Sequence, residues 1–331
     1  MSFAKEKIFI TGGGGFVGSH LAEAELKKGN QVVALDLAND EKVKHLLNNP
    51  DFEYISADML NRELIEKYVK WADLIYHFGA IANVQIYCKD PVRVIETNIK
   101  SLQIVLELAY QYKKKIIFSS SSETYGKNPK VPWSEEDDRV LGSTNKHRWC
   151  YSTSKAMGEH YFFAYADKGL KMAICRFFNF YGPRLDFIGQ GRVVTCFLEK
   201  FLNNKPVEVV KPGTQTRCFT YIDDGIDGIL RIAHRPEAEG KVFNIGTDKE
   251  TSMIELAEMM KKVGNFSSDI AFIEPDQIYE KGYEDIPRRV PDITRIKTVL
   301  DWEPKTSLEN GLKITIDHYK ELFGKTDISN P

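Results

Sequence analysis

The chain is poor in the features that would mark a secreted, membrane-bound or nucleic-acid-binding protein. It has five cysteines in 331 residues, Cys88, Cys150, Cys175, Cys196 and Cys218, and no CxxC pair among them. An odd, scattered set of this kind excludes a disulfide framework and a zinc site, and it reads as free thiols in a reducing cytoplasm. No stretch stays apolar for the about 18 residues that a membrane helix needs. The start, MSFAKEKIFITGGGG, has only a strand-length apolar run and lacks the longer one of a signal peptide. Charge of one sign is missing too: 45 Lys and Arg stand against 47 Asp and Glu, a formal −2. With no overall basic field, neither a nucleic acid nor an anionic membrane is an expected partner, and an anionic ligand must be met by local arginines. There is no internal repeat or low-complexity segment, and only the final TDISNP reads as a loose tail.

What is present is an alternation of strand-like and helix-like segments over the first half. The runs KIFIT (7–11), QVVALD (31–36), FEYISAD (52–58), LIYHFG (74–79), KKIIFSSS (114–121) and KMAICRFF (171–178) have the length and apolar density of buried strands. Helical patterns lie between them. In 91–112, Ile95, Ile99, Leu102 and Leu106 recur at helical spacing, and this face is expected to cover the sheet or meet another subunit. The pattern predicts an α/β fold with a doubly wound parallel sheet of Rossmann type. After about residue 180 the rhythm changes to the Gly- and Arg-rich YGPRLDFIGQGRVV. A smaller substrate-binding part is expected over 179–214 and 247–331, with 1–178 as the dinucleotide domain and returning segments at about 215–246.

Two constellations carry chemistry. The first strand runs into Thr11-Gly12-Gly13-Gly14-Gly15-Phe16-Val17-Gly18 and then a helix. Gly12, Gly15 and Gly18 let the backbone approach a pyrophosphate, with Phe16 and Val17 opening the helix whose N–H groups receive it. Asp36 ends the second strand eighteen residues after Gly18. A carboxylate there accepts hydrogen bonds from ribose hydroxyls and repels a 2′-phosphate, so the expected cofactor is NAD. The second constellation is Tyr151-Ser152-Thr153-Ser154-Lys155 at the head of a helix, where Tyr and Lys share one face at i, i+4. The ammonium, with the positive nicotinamide, is expected to lower the Tyr151 pKa so that it acts as a base toward a sugar hydroxyl. Its position after Ser119–Ser122, a serine run at the carboxyl end of the fifth strand, sets it apart from a chance surface Tyr and Lys.

In TGGGGFVG, HFGA (77–80), SSSSETYG, YSTSK, RFFNFYGPR, RCFTYIDD and FNIG the chain resembles the extended short-chain dehydrogenase/reductases that epimerise, dehydrate or decarboxylate nucleotide sugars. Within that NAD-dependent epimerase/dehydratase family it looks most like the UDP-glucuronate decarboxylases. This group includes the decarboxylase domain of polymyxin-resistance lipid A modification and the UDP-apiose/xylose synthases. The stretches that carry this are NKHRWCYSTSK (145–155), NFYGPRLDFI (179–188), RCFTYIDDGID (217–227), YEKGYEDIPRRVPDI (279–293) and DWEPKTSL (301–308). The resemblance implies that Ser121 hydrogen-bonds the reacting sugar oxygen and that Ser122 and Glu123 manage a proton at C5. Ser122 stands where 4,6-dehydratases carry an acid, which disfavours dehydration, and where the apiose/xylose synthases carry Cys, which disfavours ring contraction. Arg289 matches the arginine that holds a substrate carboxylate, with adjacent Arg288 leaving the choice between the two open. Asn179, Arg184, Arg192 and Arg217 match contacts to the nucleotide diphosphate or sugar, where guanidinium forks suit phosphate oxygens. Asp58 matches an adenine contact, though the same residue reads equally as a helix cap.

The resemblance thus implies a nucleotide-sugar enzyme, with decarboxylation of UDP-glucuronate through a 4-keto sugar as the first reading. A 4-epimerase or other 4-oxidising enzyme is the alternative, and a catalytically silent NAD-binding regulator is the reading from a different class. Ser121, Tyr151 and Lys155 together argue against the regulator. A homodimer through the 91–112 helix and the helix bearing Tyr151 is also implied.

Overall fold

The computed structural model describes residues 5–186, 191–274 and 284–326. The ends of two stretches quoted above, Phe187-Ile188 and 279–283, and most of the expected tail, 327–331, lie outside the described residues. The first half runs β1 (Lys7–Thr11), α1 (Phe16–Lys27), β2 (Gln31–Asp36), β3 (Phe52–Ser56), α2 (Arg62–Trp71), β4 (Leu74–His77), α3 (Val84–Lys89), α4 (Pro91–Gln111), β5 (Lys115–Ser121), α5 (Trp149–Ala166) and β6 (Met172–Phe177). The second half follows with β7 (Phe180–Tyr181), α6 (Val193–Leu202), β8 (Val207–Val210), β9 (Thr216–Cys218), β10 (Thr220–Tyr221), α7 (Ile222–His234), β11 (Val242–Ile245), β12 (Glu250–Ser252), α8 (Met253–Gly264), β13 (Ile270–Ile273), β14 (Arg288–Arg289), α9 (Thr294–Leu300) and α10 (Leu308–Thr326).

β1 shows why the strands read as unbroken apolar runs. Ile8, Phe9 and Ile10 are all fully buried, because a parallel sheet is covered on both faces. Side chains alternate between two cores: Ile8, Ile10, Val32, Ala34, Leu74 and Tyr76 fall in one, and Phe9, Val33, Leu35 and Ile75 in the other. The seven-stranded sheet has the order β11-β6-β5-β4-β1-β2-β3, and every pair is parallel. The order reverses between β1 and β4, the place where open α/β sheets leave a crevice at the carboxyl ends of their strands. β11 returns late in the chain to pair with β6, while β9 pairs with β12 and β14 in a separate small sheet. That small sheet brings Arg217 and Arg289 side by side in register, and both line the same cavity as Gly12 and Ser121.

α4 buries only part of its expected face: Leu102 and Leu106 lie in the core that also holds Phe9 and Ile75. Asp90 caps it by accepting from Arg93 N (3.1 Å), with Pro91 in the first turn. The buried stripe runs through Val94, Asn98, Ser101, Leu102, Val105, Leu106, Leu108 and Ala109, and Ile99 is half-buried. Ile95 is exposed. The polar residues in the stripe displace the apolar periodicity: Asn98 is drawn inward to bond the backbone of Ile81 and the Ser154 hydroxyl on α5.

Candidate active site

The glycine loop folds back on the end of β2, with the N–H groups of Gly12 and Gly13 both donating to Leu35 O (2.8 and 3.1 Å). Gly12 has φ +75°, and a Cβ there would meet Gly79 N at 2.6 Å. A Cβ on Gly18 would lie 2.1 Å from Gly12 O. Neither position tolerates a side chain, so the loop keeps its backbone bare toward the crevice. Among the described residues no side chain caps α1 and its first turn carries no acid, which leaves its free N–H groups and dipole for an anion. These features fit the pyrophosphate of a dinucleotide. Asp36 sits at the rim with Oδ2 accepting from Gly14 N (3.1 Å) and Oδ1 from Ala38 N (3.0 Å), so its carboxylate is anchored to the loop. A 2′-phosphate brought to it would meet like charge. NAD is therefore expected to bind at least about tenfold more tightly than NADP, since a like-charge juxtaposition costs several kcal/mol. Equal affinities by fluorescence titration would rule out this role for Asp36.

A cavity of about 600 Å³ opens in front of the loop. Gly12, Gly15, Phe16, Val17, Gly18, Ser121, Ser122, Glu123, Tyr151, Lys155, Asn179, Arg192, Arg217 and Arg289 all line it. Three expected contacts stand outside that lining. Asp36 is at the rim as described. Asp58 accepts from Leu60 N (2.9 Å), and it is Asn61 that caps α2, so the capping alternative for Asp58 is incorrect. Arg184 is a correction: its donors go to Glu23 (2.8 Å), to His20 and His45, and to Lys42 O, and it ties α1 to the second half of the chain. Arg192 lines the cavity while pairing with Asp186 (2.9 Å), and Arg217 does so while pairing with Asp285 (2.7 Å). Asn179 holds φ +41° and donates to Cys218 O (3.3 Å). Asparagine is among the few residues that accept this backbone region.

The catalytic candidates converge from three elements. β5 ends at Ser121, whose Oγ accepts from Glu123 N (3.2 Å) and so starts the short turn that buries Ser122 and Glu123. α5 lays Tyr151 and Lys155 against that turn. The Ser152 hydroxyl donates to Glu123 O (2.6 Å), and Lys155 Nζ donates to Ser119 O (2.6 Å) and lies 3.3 Å from Ser119 Oγ. Lys155 Nζ is 6.0 Å from the Tyr151 ring centre. Burial pushes the Tyr151 phenol up to about 12, the nearby Glu123 charge adds to the rise, and a hydrogen bond with Ser121 opposes it. Burial also pushes Lys155 down to about 7. In the free protein desolvation therefore dominates and the phenol is neutral; the expected lowering, which calls on the nicotinamide charge as well as the Lys155 ammonium, concerns the NAD-bound protein.

Burial alone would raise the pKa of Glu123, but the guanidinium groups of Arg289 and Arg148 hold it down at about 2. With both arginines on it the carboxyl carries no proton at neutral pH in the free protein, while its expected part, with Ser122, in managing the proton at C5 concerns the substrate-bound site. Arg289 Nη1 donates to Glu123 Oε1 at 2.5 Å. The neighbouring arginines face opposite ways, as the alternation of β14 requires. Arg289 is buried and lines the cavity, whereas Arg288 points out and pairs with Glu250.

Two residues of this cluster were not read from the sequence. Arg148, fully buried, has Nη2 3.0 Å from Glu123 Oε2. Its signal was available, since it lies three residues before Tyr151 at the head of the same helix. Tyr87 from α3 stacks on Tyr151 with ring centres 5.4 Å apart and an interplanar angle of 11°. No local pattern marks it, because the pairing joins residues far apart in the chain.

Residues 8–246 match the NAD dependent epimerase/dehydratase family. The chain is 36% identical over 319 residues to a UDP-N-acetyl-alpha-D-glucosaminuronate decarboxylase of Bacillus cytotoxicus, covering 96% of this chain and 99% of that one. It is similar in structure to a UDP-glucuronic acid 4-epimerase of Bacillus cereus in complex with UDP-glucuronic acid and NAD, with TM-score 0.85, 30% identity, and coverage of 96% and 99% of the two chains. The same figures hold for a UDP-glucose 4-epimerase of Thermotoga maritima with UDP-glucose.

Proposed function

Because the chain belongs to the NAD dependent epimerase/dehydratase family, we propose that it decarboxylates a UDP-hexuronate, UDP-glucuronate first among them, through a 4-keto intermediate. The observation that carries the reading is Arg289. It lines the cavity, one carboxylate already serves both it and Arg148, and its Nε is buried with no hydrogen-bond partner among the described residues. A buried cationic donor left in that state costs free energy that a ligand carboxylate would recover. A neutral hexose offers it a hydroxyl oxygen at most, and no counter-charge.

Bound NAD supplies the acceptor for the hydride that leaves C4 of the sugar. Tyr151 takes the proton of the 4-hydroxyl, and Ser121 holds the same oxygen. With C4 a ketone, the carboxylate on C5 is β to a carbonyl. The C5–C6 bond then breaks, CO2 departs, and its electron pair passes to the C4 oxygen, where the Ser121 and Tyr151 hydroxyls stabilise the enolate until a proton from solvent is taken up at C5. Arg289 orients the carboxylate for that cleavage. Asn179, Arg192 and Arg217, on the second-half side of the cavity, are the candidates for the nucleotide and sugar.

The test is incubation with NAD and either UDP-glucuronate or its 2-acetamido counterpart, followed by mass spectrometry and CO2 detection. A product lighter by CO2, or by CO2 and two hydrogens where the 4-keto pentose is released, supports decarboxylation. An unchanged mass with an inverted C4 makes the chain a uronate 4-epimerase, the second reading, which the similarity to the Bacillus cereus enzyme favours. No turnover of either uronate overturns both.

A homodimer belongs to the same reading. α4 and α5 pack together and leave Val92, Ile95, Met157 and Phe163 exposed on their outer sides, apolar surface that a second copy would cover. Light scattering at micromolar concentration is expected to give twice the chain mass, and a monomer would count against it. The cysteines are all free thiols, which suits the reducing cytoplasm, and no described helix is long and apolar enough to cross a membrane.

A further inference from the structure

Resting on the hexuronate reading, we propose that Arg148 is a positioning residue that lets Arg289 exchange Glu123 for the substrate carboxylate. The two arginines on Glu123 are held differently. Arg148 is fixed behind the acid: Nε donates to Glu284 O (2.6 Å), Nη1 lies 3.5 Å from the Tyr87 hydroxyl, and Nη2 is 3.0 and 3.2 Å from the two oxygens of Glu123. It is 1% exposed at its side chain and is not among the cavity-lining residues. Arg289 approaches the same acid from the small sheet, through one nitrogen, and does line the cavity. One guanidinium is therefore built into the wall and the other faces the ligand.

The difference matters when a second carboxylate arrives. If Arg289 alone paired with Glu123, turning to the substrate would leave a buried carboxylate without its counter-ion, and the substrate would compete with the protein's own acid. With Arg148 in place, Glu123 stays paired, and two guanidinium groups end up facing two carboxylates. The ionisable groups set around Glu123 are Arg148 and Tyr151 from α5, Arg289 from β14 and Tyr87 from α3. Neither tyrosine can carry positive charge, so Arg148 is the cation that remains to Glu123 once Arg289 has moved.

The experiment measures binding, apart from turnover, on the full chain loaded with NAD. Calorimetry gives Kd for UDP-glucuronate, UDP-glucose and UDP with the parent, R148M, E123Q and the double variant. R148M is expected to weaken UDP-glucuronate by about tenfold or more while UDP changes by less than about twofold, as fits the loss of a desolvated charge partner. In the E123Q background the same arginine replacement is expected to change UDP-glucuronate affinity by less than about threefold, because there is no longer an acid to neutralise. UDP and NAD affinities report folding in each variant. Should R148M not fold, E123Q against the double variant carries the test by itself, since neither leaves Glu123 charged and unpaired. A parent-like preference for the uronate in R148M, or a loss as large in the E123Q background as in the parent, overturns the proposal. A parent enzyme that binds UDP-glucuronate no better than UDP-glucose instead overturns the hexuronate reading, and this proposal with it.

Discussion

Tyr151→Phe is expected to leave an enzyme that binds NAD and UDP-sugar but forms neither NADH nor CO2. The ring is buried and stacked on Tyr87, so phenylalanine keeps the packing and only the hydroxyl is lost. A positioned base contributes about 10²- to 10⁴-fold to rate, and here it serves the first step on which all later ones depend. Single-turnover nicotinamide absorbance with UDP-glucuronate should therefore fall by at least about a hundredfold. The melting temperature should stay near that of the parent, since losing one hydroxyl hydrogen bond costs only about 1 kcal/mol. NADH formation at an undiminished rate would show that another group takes the 4-hydroxyl proton. Ser121, bonded to the same phenol, would be the next candidate.

Arg289→Ala tests the later chemistry. Tyr151 and Lys155 remain in place, and Glu123 keeps Arg148, so the fold retains a paired acid. What is lost is the cation proposed to hold the uronate carboxylate. Removing the partner of a desolvated charged group costs about 2–5 kcal/mol, so kcat/KM for UDP-glucuronate should drop by more than about tenfold. UDP binding should be unaffected, because UDP has no uronate carboxylate. Arg288→Ala is the control: its pair with Glu250 is solvent-exposed, and an ion pair of this kind contributes about 1 kcal/mol or less. Full activity of both variants on UDP-glucuronate would remove the argument for carboxylate recognition and move a neutral-sugar epimerase ahead.

What could be read along the chain was what is local to one element. The strands of the first half follow from apolar runs of strand length, most plainly in β1, β2 and β4, whose residues are almost all buried; β3, at the edge of the sheet, is the least covered. The glycine loop was legible because a turn that admits no Cβ must be glycine, and the pairing of Tyr151 with Lys155 because four residues make one helical turn. Residue identity at these places is dictated by neighbours in sequence, and spacing alone reports it.

The tertiary structure decided which charges meet. Arg184 and Arg289 look alike as arginines in loop-like stretches, yet one pairs with Glu23 on α1 and the other with Glu123. Arg289 and Glu123 are 166 residues apart, and Arg148 and Glu123 are 25 apart. No periodicity spans such separations. The same holds for the burial of Asn98 in place of Ile95 on α4, and for the state of the tyrosine and its lysine. Sequence determined that a dinucleotide-type loop, a serine-ended strand and a Tyr–Lys helix exist. Whether their ionisable groups are charged, and toward which partner each arginine turns, depends on desolvation and on distances across the crevice, and these exist only once the strands have been assembled.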